Sequence, residues 1–302
     1  MKKILQIGKM GQLGWELLRT CAPLGEVVAL DYPEVDLSDS RGLRELVQSV
    51  KPDIIINAAA YTNVDKAESE PERARAINAT GPGVLAEEAK KLKAVLVHYS
   101  TDYVFDGTKG SPYVETDQPN PLNVYGQTKL EGEQVVAASG CVNLVMRTSW
   151  VYSMRQGGFV TKVLHWARTQ EVMRVVDDQI SSPTSARMLA EITAFILAQG
   201  REDVFGYLSE KGGLYHCAGS GSCSRYEWAI KILELESDKA NQIVEKVVRI
   251  RTSELVIDVQ RPLRTILDTQ KLTNTFSVHL SDWLIELHYF FKYYEKLFWE
   301  LR

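Results

Sequence analysis

Two side chains in this sequence are spaced for acid–base chemistry. Tyr125 and Lys129, in the run Tyr125-Gly126-Gln127-Thr128-Lys129, are four apart and so fall on one face of a helix. A phenol titrates at about pH 10 in water, and it exchanges protons at neutral pH only where a cation favours its anion. Lys129, one turn away, is such a cation. A third group comes from Ser100-Thr101-Asp102-Tyr103, which ends an apolar run and puts hydroxyls at its carboxyl end. Reducing a ketone requires a hydride at carbon and a proton at oxygen, so Tyr125 reads as general acid. Thr101 reads as the hydroxyl that holds the carbonyl oxygen and steadies the charge developing on it.

The hydride points to a dinucleotide, and the N-terminus holds a loop suited to one. Gly8, Gly11 and Gly14 are spaced G-x-x-G-x-x-G between an apolar run and a helical pattern. Glycines there let the backbone approach a pyrophosphate, whose charge is favoured by the amides and dipole of the helix that follows. Asp31 lies about twenty residues beyond Gly11, where a carboxylate can accept from the adenine ribose hydroxyls. That suits NADH. Lys9 beside the same ribose would instead offset a 2′-phosphate, so both NADH and NADPH stay open.

These groups need a scaffold, and the pattern supplies one. β-branched runs at residues 4–7, 27–30, 53–58, 95–100 and 143–147 alternate with helical spacing at 12–20, 41–50 and 83–92. Continuous apolar strands suit a sheet covered on both faces. The reading is an α/β fold with a doubly wound parallel, Rossmann-like sheet, its ligands at the carboxyl ends of the strands. The expected division is a dinucleotide-binding domain over 1–150, completed by a strand at 172–176 and a helix at 185–197. A smaller C-terminal lobe, mainly within 151–302, would bind substrate. Ser224 and Glu227 have the spacing of a capping box and mark a helix start there.

Composition narrows the classes. The chain has 302 residues, 45% hydrophobic and 25% charged, which is the profile of a folded globular protein. A net charge of −4 gives no basic field for nucleic acid. The four cysteines (Cys21, Cys141, Cys217, Cys223) form no C-x-x-C pair and the five histidines no H-E-x-x-H, so reduced thiols and no zinc mechanism are expected. No apolar window has the length to cross a bilayer, and no signal-peptide core is visible, so a cytoplasmic location is expected.

Long, particular blocks then bear a likeness. GKMGQLGWEL, INAAAYTNVDKAESEPERARAIN, HYSTDYVFDG, ETDQPNPLNVYGQTKLEGE, RTSWVY, DQISSPTSA and RPLRTILDTQKL together resemble the extended short-chain dehydrogenase/reductase family. Within it the chain is most similar to the dTDP-4-dehydrorhamnose reductases. The resemblance implies reduction of the C4 ketone of dTDP-4-dehydro-L-rhamnose to dTDP-L-rhamnose by NADPH or NADH. It implies that Gly11, Gln12, Leu13, Asp31, Asp36, Leu37, Ala60, Tyr61, Thr62 and Tyr99 line the cofactor, with Lys129 on the nicotinamide ribose. Thr101, Asp102, Tyr103 and Trp150 become sugar contacts, and Arg261, before Pro262, a partner for the nucleotide diphosphate. An indole face stacks well on the apolar face of a deoxysugar, which supports Trp150. An optional magnesium ion and a homodimer are further expectations of the resemblance.

Alternatives share most of these residues. They are a reductase or epimerase for another nucleotide-activated sugar, and a non-catalytic regulatory subunit resembling the partner of methionine adenosyltransferase. Dehydratases of the family carry glutamate after the threonine–aspartate pair, whereas this chain has Tyr103. Simple reduction is favoured on that ground. Arg264 and Thr265 depart from the small or polar pair usual in the arginine–proline block. The tail carries Trp283, Leu287, Phe290, Tyr294, Leu297 and Leu301 at helical spacing, with Phe291 and Phe298 beside them, and is expected to pack on the body or a second subunit.

Overall fold

The computed structural model describes residues 1–155, 157–255 and 259–300, with side chains from 294 onward left out of the description. Five strands alternate with helices as the pattern predicts: β1 (Lys2–Ile7), β2 (Gly25–Leu30), β3 (Ile54–Asn57), β4 (Val95–Thr101) and β5 (Asn143–Thr148). All pairings in their sheet are parallel. The chain order along the sheet is sixth strand, β5, β4, β3, β1, β2, so the winding reverses between β1 and β3. That reversal opens a crevice beyond their carboxyl ends.

One expectation is corrected. Val172–Val176 is a strand, but it pairs in parallel with Lys246–Ile250 as a separate two-stranded sheet. The sixth strand of the main sheet is Gly213–His216, beside β5. The helix Ala186–Gln199 does cover the main sheet: Met188, Leu189, Ile192 and Ile196 join the core with Ile4, Ile54, Val95 and Leu144.

A second cluster of Leu5, Ile7, Leu43, Val47, Ile55, Leu85 and Leu96 fills the opposite face. Both faces of each central strand are therefore dry, which explains unbroken runs such as Ile54-Ile55-Ile56, all at or below 1% exposure. A third core belongs to the C-terminal part and joins Tyr152, Val163, Met173, Val175, Trp228 and Ile232 to Trp283, Leu287 and Phe291. Those three tail residues pack on the body of the chain itself. Tyr294, Leu297, Phe298 and Leu301 lie outside the described side chains.

Candidate active site

The helix Val124–Ser139 carries Tyr125 and Lys129, and its start is fixed by Asn123, whose side chain accepts the Gly126 N–H at 2.8 Å. Gly126 is needed for close approach, since a Cβ there would sit 2.3 Å from the Tyr103 carbonyl oxygen. The helix start thus presses on the turn Asp102–Val104 that ends β4, and the Tyr103 and Tyr125 rings meet edge to face at 5.7 Å. Thr101 caps that turn by accepting the Tyr103 N–H at 3.2 Å.

Tyr125, Thr101, Asp102, Tyr103, Trp150 and Arg261 all line one cavity of about 640 Å³, together with Gln12 and Thr62. Burial pushes the Tyr125 phenol well above its usual value, and the opposing influence is a hydrogen bond with Thr101. Sequence reasoning assigned that acidifying part to Lys129. Instead the Lys129 ammonium turns to the Tyr99 carbonyl oxygen at 2.6 Å, and burial pulls the amine down to about 8. The phenol is thus held protonated, the form in which a general acid must start, and a cation beside it is still needed to bring it toward the working pH.

Asp102 lines the cavity but is almost fully buried, at 2% exposure. Its carboxylate accepts from the hydroxyls of Thr265, Ser181 (3.3 Å) and Thr101 (3.2 Å). Burial nevertheless raises it to about 6, with those hydroxyls opposing. Thr265, which departs from the usual block, is thereby given a place in this network. Arg261 donates to both oxygens of Asp65, at 2.7 and 2.8 Å.

Arg225 was missed by sequence reasoning, and the only local signal was its place just after the Ser224 cap. Its guanidinium lies 3.7 Å from the centre of the Trp150 ring, which in turn stacks on Trp228 at 5.5 Å. One indole face of Trp150 is therefore taken by a cation, while the residue still lines the cavity. Burial pulls the arginine down to about 10, and among the described residues no ion pair relieves it. Trp150 itself has φ 43°, a strained conformation for a bulky residue of the kind that collects at ligand sites.

The glycine loop meets the crevice. Gly8 has φ +92°, and a Cβ on Gly14 would stand 1.7 Å from the Gly8 carbonyl oxygen, so only glycines close the turn. Gly11 caps the helix Gln12–Cys21 without a side-chain acceptor. Asp31 accepts the Met10 N–H at 2.7 Å and the Tyr32 N–H at 2.8 Å, each oxygen keeping a lone pair for a ribose. Lys9 pairs with Glu34 at 2.5 Å. These are the features a dinucleotide needs: a bare helix start, a close backbone and a carboxylate beyond β2.

Other sequence candidates fall differently. Asp36 accepts from Ser38 and is held below the usual carboxylate range by that hydroxyl. Tyr61 is tied to Asn78 through its N–H (2.8 Å) and to Glu70 through its hydroxyl (2.9 Å), beside Ala60 and Thr62 in the loop after β3. Leu13 and Leu37 are buried in the two cores. Tyr99 turns its ring to the core and its hydroxyl to Thr193 at 2.8 Å, so what it gives the site is its carbonyl. Among the described residues no three His, Cys, Asp or Glu side chains converge to hold a metal, and the magnesium expectation finds no support. All four cysteines are free and buried.

Comparison with known proteins follows the same lines. The family model described as RmlD substrate binding domain matches residues 1–296. A dTDP-4-dehydrorhamnose reductase of Escherichia coli (strain K12) is 41% identical over 290 residues, 93% of this chain and 94% of that protein. The crystal structure of a dTDP-4-dehydrorhamnose reductase from Clostridium acetobutylicum superposes with a TM-score of 0.87 at 32% identity, covering 97% of this chain and 99% of that one. Another, from Bacillus anthracis in complex with NADP, gives 0.85 at 32% identity, over 96% and 98%. By sequence and by fold, the chain belongs to the dTDP-4-dehydrorhamnose reductase family.

Proposed function

We propose that this protein is an NAD(P)H-dependent oxidoreductase that reduces the C4 ketone of dTDP-4-dehydro-L-rhamnose to dTDP-L-rhamnose. The observation that carries the reading is that Thr101 and Tyr125 line one cavity together, Thr101 at the carboxyl end of β4 and Tyr125 at the start of the helix that presses against it. Reduced nicotinamide, when bound, supplies the hydride. Gly8, Gly11 and Gly14 with the start of the first helix would hold its pyrophosphate, and Asp31 its adenine ribose. The NADP held by the Bacillus anthracis relative supports a dinucleotide of this class.

Thr101 would hold the ketone oxygen, and Tyr125 would pass its proton to that oxygen as charge builds on it. Lys129, anchored on the Tyr99 carbonyl, would orient the nicotinamide ribose. Arg225 and Arg261 line the same cavity, and their mutual repulsion would be relieved by the diphosphate of a nucleotide sugar. Asp102, in the wall of the same cavity, would fix Thr101 through their hydrogen bond. Labour is then divided between the main sheet, completed by Ala186–Gln199 and Gly213–His216, and the C-terminal part that supplies Trp150 and Arg225. No helix among the described residues is long and apolar enough to cross a membrane, and with a small-molecule substrate goes a cytoplasmic site of action. Incubating the purified chain with dTDP-4-dehydro-L-rhamnose and each reduced nicotinamide, while following dinucleotide absorbance, tests substrate and coenzyme together. No oxidation with either would remove the proposal.

A further inference from the structure

Behind Lys129 lies a buried chain of polar groups that the reaction does not use directly. His98, on β4, is 1% exposed, and Asn57, at the end of β3, is also 1% exposed. The Asn57 side-chain nitrogen lies 3.2 Å from His98 Nδ1, and Lys129 Nζ lies 3.5 Å from His98 Nε2. Which ring nitrogen carries the proton can be deduced from the partners. The Ala59 backbone N–H can only donate, and it points to Asn57 Oδ1 at 3.2 Å. The amide of Asn57 is therefore oriented with its NH₂ toward the ring, which obliges Nδ1 to accept. Burial, with Lys129 alongside, holds the imidazole neutral by pushing its pKa well below 6.5. Its one proton must then sit on Nε2, facing Lys129.

An ammonium is a donor only, so the face that His98 turns to it offers no acceptor. Among the described residues the Tyr99 carbonyl is the one protein acceptor of the Lys129 ammonium. Glu133, the carboxylate whose field reaches Lys129 from the next turn of the same helix, is bonded to other donors and makes no hydrogen bond with the ammonium. It accepts from Ser100 and from Arg147, the latter at 2.8 and 2.6 Å.

We propose that Asn57 is a positioning residue for the dinucleotide: by fixing the His98 ring in its Nε2–H form, it denies Lys129 a second protein acceptor and so reserves the ammonium's hydrogens for the cofactor ribose. The proposal rests on reading Lys129 as a ribose ligand. It yields an order of effects that simple packing does not. Freeing the ring should do more harm than deleting it, because a freed ring can turn Nε2 into an acceptor and draw the ammonium away.

The test combines nitrogen-15 spectra of the histidine rings with fluorescence titration of NADH and NADPH. In the unaltered protein His98 is expected in the Nε2–H form, and in Asn57→Ala in the Nδ1–H form. Dinucleotide dissociation constants should rise about tenfold in Asn57→Ala, the worth of one hydrogen bond from a charged group. They should stay near the unaltered value in His98→Leu and return toward it in the double variant. An Nδ1–H ring in the unaltered protein overturns the proposal, and so does a His98→Leu that binds as poorly as Asn57→Ala. Should either variant fail to fold, the spectrum of the unaltered protein still decides the tautomer. Lys129→Met separates the underlying reading, because unchanged dinucleotide affinity there refutes the ribose role whatever form the ring takes.

Discussion

Replacing Asp102 by asparagine should stabilise the protein at neutral pH while impairing turnover. The carboxyl group is buried, and its folded pKa is raised from 3.8 to about 6, chiefly because burial disfavours the charge. The native state thus binds the proton more tightly than the unfolded chain. Stability must fall as pH rises from the unfolded value to the folded one, and the cost is fully present above it. At 1.36 kcal/mol per pH unit, that displacement amounts to about 3 kcal/mol at most. Asparagine keeps the shape and the acceptor that Thr265 and Ser181 share, and its NH₂ can meet Thr101, whose hydroxyl accepts as well as donates. We expect a gain of about 1–3 kcal/mol in urea unfolding at about pH 8, shrinking toward zero at about pH 4. Turnover should fall, since Thr101 loses the carboxylate that fixes it. Equal destabilisation of the variant at both pH values would show that the ionised carboxylate is at ease in the fold, and would refute the reasoning.

Two more consequences concern other parts of the molecule. Arg147→Met should cost about 3–5 kcal/mol in chemical denaturation, because it leaves the buried Glu133 carboxylate without the guanidinium that now donates to both its oxygens; a loss under about 1 kcal/mol would count against that pairing. Glu34→Gln should release Lys9 from its 2.5 Å contact. The ratio of kcat/KM for NADPH to that for NADH should then rise about two- to fivefold, the worth of an exposed charge pair, and an unchanged ratio would remove Lys9 from the 2′-phosphate argument.

Much of this site is legible in the sequence because its parts are local. Tyr125 and Lys129 share one helix, the glycine loop is contiguous, and β1 to β5 are apolar on both faces. What escapes the sequence is held across long separations. Thr265 and Ser181 reach Asp102 from a different part of the chain, and nothing near any one of the three announces the others. Arg225 follows an ordinary helix cap, and its importance comes only from the aromatic rings that enclose it. Val172–Val176 reads as a strand of the main sheet because periodicity tells strand from helix and says nothing of its neighbour; the partner, Lys246–Ile250, lies more than seventy residues on. The true sixth strand escapes because Gly213–His216 is short and begins with a glycine at φ +120°. Lys129 is the subtler case: spacing brings it near Tyr125, but the Tyr99 carbonyl decides where its charge points.

The central claim is that the Tyr125 hydroxyl gives its proton to the substrate ketone. Tyr125→Phe removes that oxygen and keeps the ring that packs against Tyr103, so the fold should survive. With dTDP-4-dehydro-L-rhamnose, kcat should fall about a hundredfold or more, while NADH and NADPH bind with unchanged affinity. A folded variant that turns over at close to the original rate would contradict the account.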